Sequence, residues 1–291
     1  MSKSKLAIGS VQFGLNYGVA NKTGKVTQSD VKGILQFALK NGIDTIDTAI
    51  AYGDSEACLG AVGCSDFKVV TKLPAFPDDC VDVGGWAREQ VSASLSRLRV
   101  KSLNGLLLHR PDQLLSSNGA QLYKALQVLK DNGIVDKVGV SIYSPNELDL
   151  LSPKYHFDLV QAPFNLVDRR IQSSGWLSRL KDSGVEVHTR SAFLQGLLLM
   201  SEMDIPVKFA PWRELWSKWH AWLDLSKLSA VQACLGFPFS FPEIDKVIVG
   251  VDGLNQLIQI VSAEQSDFCA DFPDLQCQDE SLINPSRWAV L

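Results

Sequence analysis

The sequence lacks the devices that would mark a metalloprotein, a nucleic-acid binder or a membrane protein. It has only four histidines, and its six cysteines (Cys58, Cys64, Cys80, Cys234, Cys269, Cys277) form no C-x-x-C pair and no Cys/His ligand spacing. That argues against a structural zinc site and a disulfide framework, and predicts free, buried thiols in a reducing cytoplasm. Charge of one sign is missing too. With 28 Lys+Arg against 32 Asp+Glu, interspersed along the chain, there is no field to hold a phosphodiester backbone, so nucleic acid is not expected as a partner. No window reaches about 18 uninterrupted apolar residues, so no segment is expected to span a bilayer. The start, Met1-Ser-Lys-Ser-Lys-Leu-Ala-Ile-Gly, has an apolar run of only Leu6 to Ile8 with no small-residue cleavage site after it, and reads as mature protein.

What is present is a repeat of short apolar, β-branched runs separated by stretches of helical periodicity. The runs fall at 6–11, 43–47, 68–72, 105–109, 137–141, 157–161, 185–189 and 246–250. Between the first two, Thr27-Gln-Ser-Asp30 has the form of a capping box. Val31, Ile34, Leu35, Ala38 and Leu39 then follow at helical spacing, and Asn41-Gly42 stops the helix. Comparable stretches cover 86–99, 120–132, 146–151, 170–183, 212–225 and 254–261. Strands alternating with helices over 291 residues predict a (β/α)8 TIM barrel, a single α/β domain over 1–291. The competing doubly wound sheet needs a glycine-rich phosphate turn after its first strand. The turn after Val11 reads Gln-Phe-Gly-Leu-Asn-Tyr-Gly, which is not G-x-G-x-x-G.

In such a barrel the carboxyl ends of the strands face the active site. The second, third and fourth runs close on Asp47, Lys72 and His109, each an ionisable residue after an apolar stretch. Burying them is costly unless they pair. Singly, a strand-end histidine is a satisfied core residue and a strand-end aspartate a cap; three on consecutive strands point to a site. Tyr52, five residues beyond Asp47, can fold back over them. A free phenol has a pKa near 10, but an ammonium about 4 Å away stabilises a phenolate by about 4 kcal/mol at an effective dielectric of 20. Asp47 would keep Lys72 charged, and His109 could orient a carbonyl. The set has neither a nucleophile nor a metal ligand group. It suits protonation of an oxygen that gains charge as hydride reaches its carbon.

The stretch Asp47-Thr-Ala-Ile-Ala-Tyr52-Gly-Asp-Ser-Glu56-Ala-Cys-Leu-Gly60 resembles the D-T-A-x-x-Y-G-x-S-E-x-x-L-G signature of the aldo/keto reductase superfamily, with Lys72 and His109 where that family carries its lysine and histidine. The resemblance runs from Gly9 to the region of Gly250. It implies an oxidoreductase that interconverts a small aldehyde or ketone, a sugar among the candidates, and its alcohol, with NADP(H) as cofactor and NAD(H) as the alternative. By the same resemblance Ser141 and Gln161 hold the nicotinamide carboxamide. Ser191, Phe193, Gln195 and Gly196 lie in the pyrophosphate loop, and Gly250, Asp252 and Gln256 in the adenosine segment. Arg190 stands where many members place an aromatic under the nicotinamide, and Asp252 would repel a 2′-phosphate that it faced. Phe13, Tyr17 and Trp86 are expected around the substrate. Trp212, Trp216, Trp219 and Trp222 recur at helical spacing and are expected to pack the helix on the barrel. His188 is expected to be structural. Two rivals stand beside this expectation: a regulatory protein that binds the cofactor with little turnover, and a metal-assisted hydrolase built on Asp47, His109 and His188.

Overall fold

The computed structural model describes residues 4–266 and 271–290, so Cys269 and the first three residues lie outside the described residues. Eight parallel strands, β1 (Leu6–Gly9), β2 (Thr45–Asp47), β3 (Lys68–Leu73), β4 (Leu103–Leu108), β5 (Val135–Ser141), β6 (Leu159–Pro163), β7 (Glu186–Arg190) and β8 (Lys246–Gly250), close in sequence order. The last pairs back with the first from Leu6↔Val247 to Gly9↔Gly250. The helices are α1 (Val11–Gly14), α2 (Gln28–Lys40), α3 (Ser55–Val62), α4 (Val83–Leu98), α5 (Gly119–Asp131), α6 (Asn146–Leu151), α7 (Arg170–Ser173), α8 (Trp176–Asp182), α9 (Arg213–Ser226), α10 (Ala230–Phe239), α11 (Leu254–Glu264) and α12 (Glu280–Ile283). This is the (β/α)8 barrel that the alternating pattern predicts. No helix among the described residues is long and apolar enough to cross a membrane.

Helix α2 shows how one unit forms. The Thr27 side chain accepts from the Asp30 amide, satisfying a donor the helix cannot, and its hydroxyl donates to the Asp30 carboxylate. Val31, Ile34, Leu35 and Ala38 share one face and are buried, each of the three larger side chains contributing about 1.5–3 kcal/mol on leaving water. Gly42 then takes φ +76°, open to glycine at little cost, and turns the chain into β2.

Several expectations need correction. The stretch 170–183 is two helices, because Gly175 sits at φ +79° and interrupts the turn between α7 and α8. Strand β1 stops at Gly9, since Ser10 already leads into α1, and β6 runs two residues later than expected. Helices α3 and α10 were not anticipated. Of the described cysteines, all free, Cys64 and Cys234 are buried while Cys58, Cys80 and Cys277 are only half-buried.

Trp216 and Trp219 are buried and donate from their indole nitrogens to the carbonyls of Phe209 and Leu198, while Trp222 stacks on Trp219 at 5.8 Å. The stripe on α9 is core packing, as expected. Inside the barrel, Val70, Leu107 and Leu159 make a separate apolar cluster, each two residues before Lys72, His109 or Gln161 in the chain. Gly139 lets this layer close, since a Cβ there would meet the Leu159 carbonyl oxygen at 1.8 Å. Further down, Glu186 pairs with Lys137 and His188, and Asp44 with Lys68 and Lys246.

Candidate active site

The path of the chain after β2 places Tyr52. The Thr48 amide donates to the Val70 carbonyl and the Ile50 amide to the Lys72 carbonyl, so the backbone climbs β3 for two more bonds. The Tyr52 amide then donates to Ala49, and the Tyr52 carbonyl accepts from Ser55 as α3 begins. Gly14 is needed beneath this turn: a Cβ on it would lie 1.9 Å from the Tyr52 carbonyl oxygen. The signature's Ser55 and Glu56 are scaffolding. Ser55 Oγ donates within the Ser10 corner, and buried Glu56 accepts from Thr71, Ser94 and Arg97.

Lys72 Nζ is 1% exposed and donates to both Asp47 oxygens, at 2.8 and 2.5 Å, and to the Thr48 carbonyl at 3.0 Å. Burial works against the ammonium, but the Asp47 carboxylate outweighs it and holds the Lys72 pKa above its ordinary value. Lys72 Nζ lies 5.1 Å from the centre of the Tyr52 ring, whose other neighbour is the His109 ring, edge-on at 5.8 Å. His109 follows β4, its amide extending the ladder to the Leu73 carbonyl. Burial, then the charges of Lys72 and Arg190, push its pKa down to about 4, so the imidazole is neutral at pH 7. On the far side of Asp47, Gln161 Nε2 donates to Oδ1 at 2.6 Å and Gln161 Oε1 accepts from Ser141 at 3.2 Å. Asp47, Tyr52, Lys72, His109, Ser141 and Gln161 therefore meet at one end of the barrel.

Beyond β7 the backbone enters the left-handed region four times in six residues, at Ser191, Leu194, Gln195 and Gly196. Three of these are not glycine, a strained run of the kind held at ligand sites, and such turns aim successive amides into an anion-binding hollow. Phe193 is buried in this segment. Gln195 Nε2 donates to the Tyr17 hydroxyl, and a Cβ on Gly196 would strike Ala20, so the loops after β1 and β7 meet. In the loop after β8, Asp252 accepts from Asn21 at 3.0 Å, from Gln256 at 3.4 Å and also from Gln12. Gln12, itself buried, keeps its Oε1 without a hydrogen-bond partner beside Gly250. The left-handed turn after β7 and the buried Gln12 Oε1, an acceptor without a partner, are features that fit a bound dinucleotide.

Residues 5–272 match the Aldo/keto reductase family. The chain belongs to the aldo/keto reductase family. It is 25% identical over 250 residues to an uncharacterized oxidoreductase, YqkF, of Bacillus subtilis, covering 79% of this chain and 80% of that protein. It is 31% identical over 175 residues to a 6-dehydroglucose reductase of Agrobacterium fabrum, covering 53% of this chain and 58% of that one. The aldo-keto reductase AKR11C1 of Bacillus halodurans in its holo form superposes with a TM-score of 0.73 at 19% identity, covering 91% of this chain and 88% of that chain. At such identity the likeness is one of fold. Membership makes the chain an NAD(P)-dependent oxidoreductase of small carbonyl compounds and their alcohols.

The residues expected around this reductase's substrate separate. Phe13 is 1% exposed and belongs to the hydrophobic core cluster. Tyr17 is exposed at the meeting of the two loops. Trp86 packs edge-on against Phe76, whose backbone Gln113 clamps through both its amide and its carbonyl. Arg190 lies over the Tyr143 ring at 4.7 Å and donates to the Ile142 carbonyl at 3.0 Å. His188 bonds Glu186 in the lower barrel, away from the mouth, and no three His, Cys, Asp or Glu groups among the described residues are arranged for a metal. Sequence reasoning missed Gln12, Asn21 and Tyr143. Their only signal is polar or aromatic character in loops after strands.

Proposed function

We propose that this reductase converts an aldehyde or ketone to its alcohol with Tyr52 as the proton donor. The convergence of the Tyr52 ring, the Lys72–Asp47 pair and a neutral His109 at the barrel mouth carries the reading. A bound dihydronicotinamide would supply the hydride. Ser141 and Gln161 would hold its carboxamide, and Gln161, through Asp47, would tie cofactor placement to the buried ion pair. His109 donates to the carbonyl oxygen and orients it. As negative charge grows on that oxygen, the Tyr52 hydroxyl gives it a proton. The Lys72 ammonium offsets the charge left on the phenolate, and Asp47 keeps Lys72 in place. The phenol recovers its proton from water, and in the oxidative direction the steps reverse. A sugar carbonyl is among the substrates this reading admits, and the partial likeness to a 6-dehydroglucose reductase supports testing it.

Single-turnover oxidation of bound NADPH by a panel of aldehydes tests the reading. Tyr52→Phe should retain the nucleotide and lose roughly 100-fold or more in turnover; wild-type turnover in that variant refutes the assignment. Inertness of the wild type towards every aldehyde would favour a cofactor-binding regulatory role instead.

For the nucleotide, the family resemblance supports NADP(H), while one observation supports NAD(H). Residues 250–256 carry no Lys or Arg, and Asp252 presents a carboxylate able to accept from a ribose 2′-hydroxyl and repel a 2′-phosphate. Asp252→Asn should then shift the ratio of the two dissociation constants towards NADPH by about fivefold or more, read by quenching of protein fluorescence. An unchanged ratio would remove Asp252 from the recognition.

A further inference from the structure

The left-handed run after β7 is held by a residue from the neighbouring strand's loop. Asn165, wholly buried after β6, donates from Nδ2 to the Ser191 carbonyl at 2.9 Å, while its Oδ1 accepts from the amides of Val167 and Asp168, each at 2.8 Å. Two N–H donors on one side of the amide settle which atom is the oxygen, so the nitrogen faces Ser191. The Asn165 amide closes the same turn on the Asp168 carbonyl at 3.1 Å, and the buried Asp168 carboxylate accepts two side-chain bonds from Arg170. Asn165 is therefore fixed from its own side. Ser191 is the first residue of the left-handed run, at φ +64°, and its carbonyl also accepts from the Leu194 amide at 2.9 Å. A trans peptide is planar, so fixing this carbonyl also fixes the Ala192 N–H, which points the opposite way. Ala192 and Phe193 are both buried, and their amides donate to nothing among the described residues. Buried N–H groups without an acceptor are rare, and two in succession beside a left-handed turn are suited to an anion.

We infer that Asn165 is the positioning residue of this anion site: by holding the Ser191 carbonyl it aims the Ala192 amide, and Phe193 after it, at a phosphate of the bound nucleotide. The inference rests on the reductase reading above, in which the loop after β7 receives the pyrophosphate, and deepens it. Asn165 acts through Ser191 and not on the ligand itself, so its loss is felt alike by every ligand that carries the pyrophosphate. Without the Nδ2 donor, Ser191, which is not glycine, relaxes out of the left-handed region and the two amides turn with it.

The test measures, by titration calorimetry, the dissociation constants of NADP+, NAD+ and ADP-ribose, the last having the pyrophosphate without the nicotinamide. Wild type, Asn165→Asp and Asn165→Ala are compared, and thermal unfolding of the same preparations reads the fold. Aspartate keeps the acceptor for Val167 and Asp168 and replaces only the donor to Ser191. At neutral pH it should weaken all three ligands by roughly 10-fold, since a buried hydrogen bond is lost and one acceptor is set against another. Burial raises the pKa of the new carboxyl, so near about pH 5 it is protonated and donates again. Its affinities should then return towards those of the wild type at the same pH, whereas Asn165→Ala should show the loss at both pH values. If Asn165→Ala fails to fold, Asn165→Asp alone carries the test. Dissociation constants unchanged in the variants, with only the unfolding midpoint lowered, would make Asn165 structural and overturn the inference. So would a loss in Asn165→Asp that persists in acid, or one confined to the two dinucleotides with ADP-ribose bound as before. A wild type that binds none of the three ligands defeats the reductase reading, and the inference with it.

Discussion

Replacing Lys72 with methionine isolates the buried ion pair beneath Tyr52. In the native protein Lys72 makes three bonds, two to Asp47 and one to the Thr48 carbonyl, and both partners are almost wholly buried, Lys72 at 1% and Asp47 at 4% exposure. Methionine fills the space of the aliphatic stem. It leaves Asp47 with Gln161 alone and the Thr48 carbonyl without its Lys72 donor. Removing one partner of a buried pair costs about 3–5 kcal/mol, mostly from the stranded charge. At about 2.1 cal/mol/K per residue, 291 residues give an unfolding entropy near 0.6 kcal/mol/K, so the midpoint should fall by roughly 5–8 °C. The double variant Lys72→Met, Asp47→Asn removes the stranded charge and should be more stable than the single lysine variant by about 1 kcal/mol or more. Thermal and urea unfolding of the apoprotein followed by circular dichroism would measure both. A midpoint loss under about 2 °C, or strictly additive effects of the two substitutions, would refute the argument that Asp47 needs Lys72.

Two further outcomes are expected. His109 has a folded pKa of about 4 against about 6.5 unfolded, so between those values only the unfolded chain takes up the proton. Stability should be flat above pH 6.5 and decline as pH falls towards 4, by up to about 3 kcal/mol, with His109→Gln losing that slope in urea titrations at several pH values. Gly14→Ala must move the Tyr52 backbone without touching its hydroxyl. A shift of about 1 Å should lower kcat roughly 10- to 100-fold while nucleotide binding persists, whereas unchanged kcat would mean the turn yields elsewhere.

The barrel was legible because burial forces a pattern: each strand is an apolar run and each outer helix shows one apolar face. The ionisable residues at strand ends were legible because Asp47 and Lys72 each follow apolar or β-branched residues at the carboxyl end of a run, where a charge needs a partner. Helix α3 was hidden because it is short and six of its eight residues lie within the signature, and α10 because it is apolar nearly all round and contains Gly236 and Pro238. Period gives no signal in such segments. The burial of Phe13 was not legible either, since an aromatic just after a strand carries no signal of which way it faces. The contact of Arg190, at the end of β7, with Tyr143, in the loop after β5, joins positions far apart in sequence, and spacing holds no trace of it.

Val70, Leu107 and Leu159 put an apolar layer between the residues that carry the proposed chemistry and the lower barrel. On the proposal that Tyr52 is the acid, its phenol would be recharged from the mouth, where Tyr17 and Gln195 bring two loops together. Admission of substrate and renewal of the acid would then share one doorway.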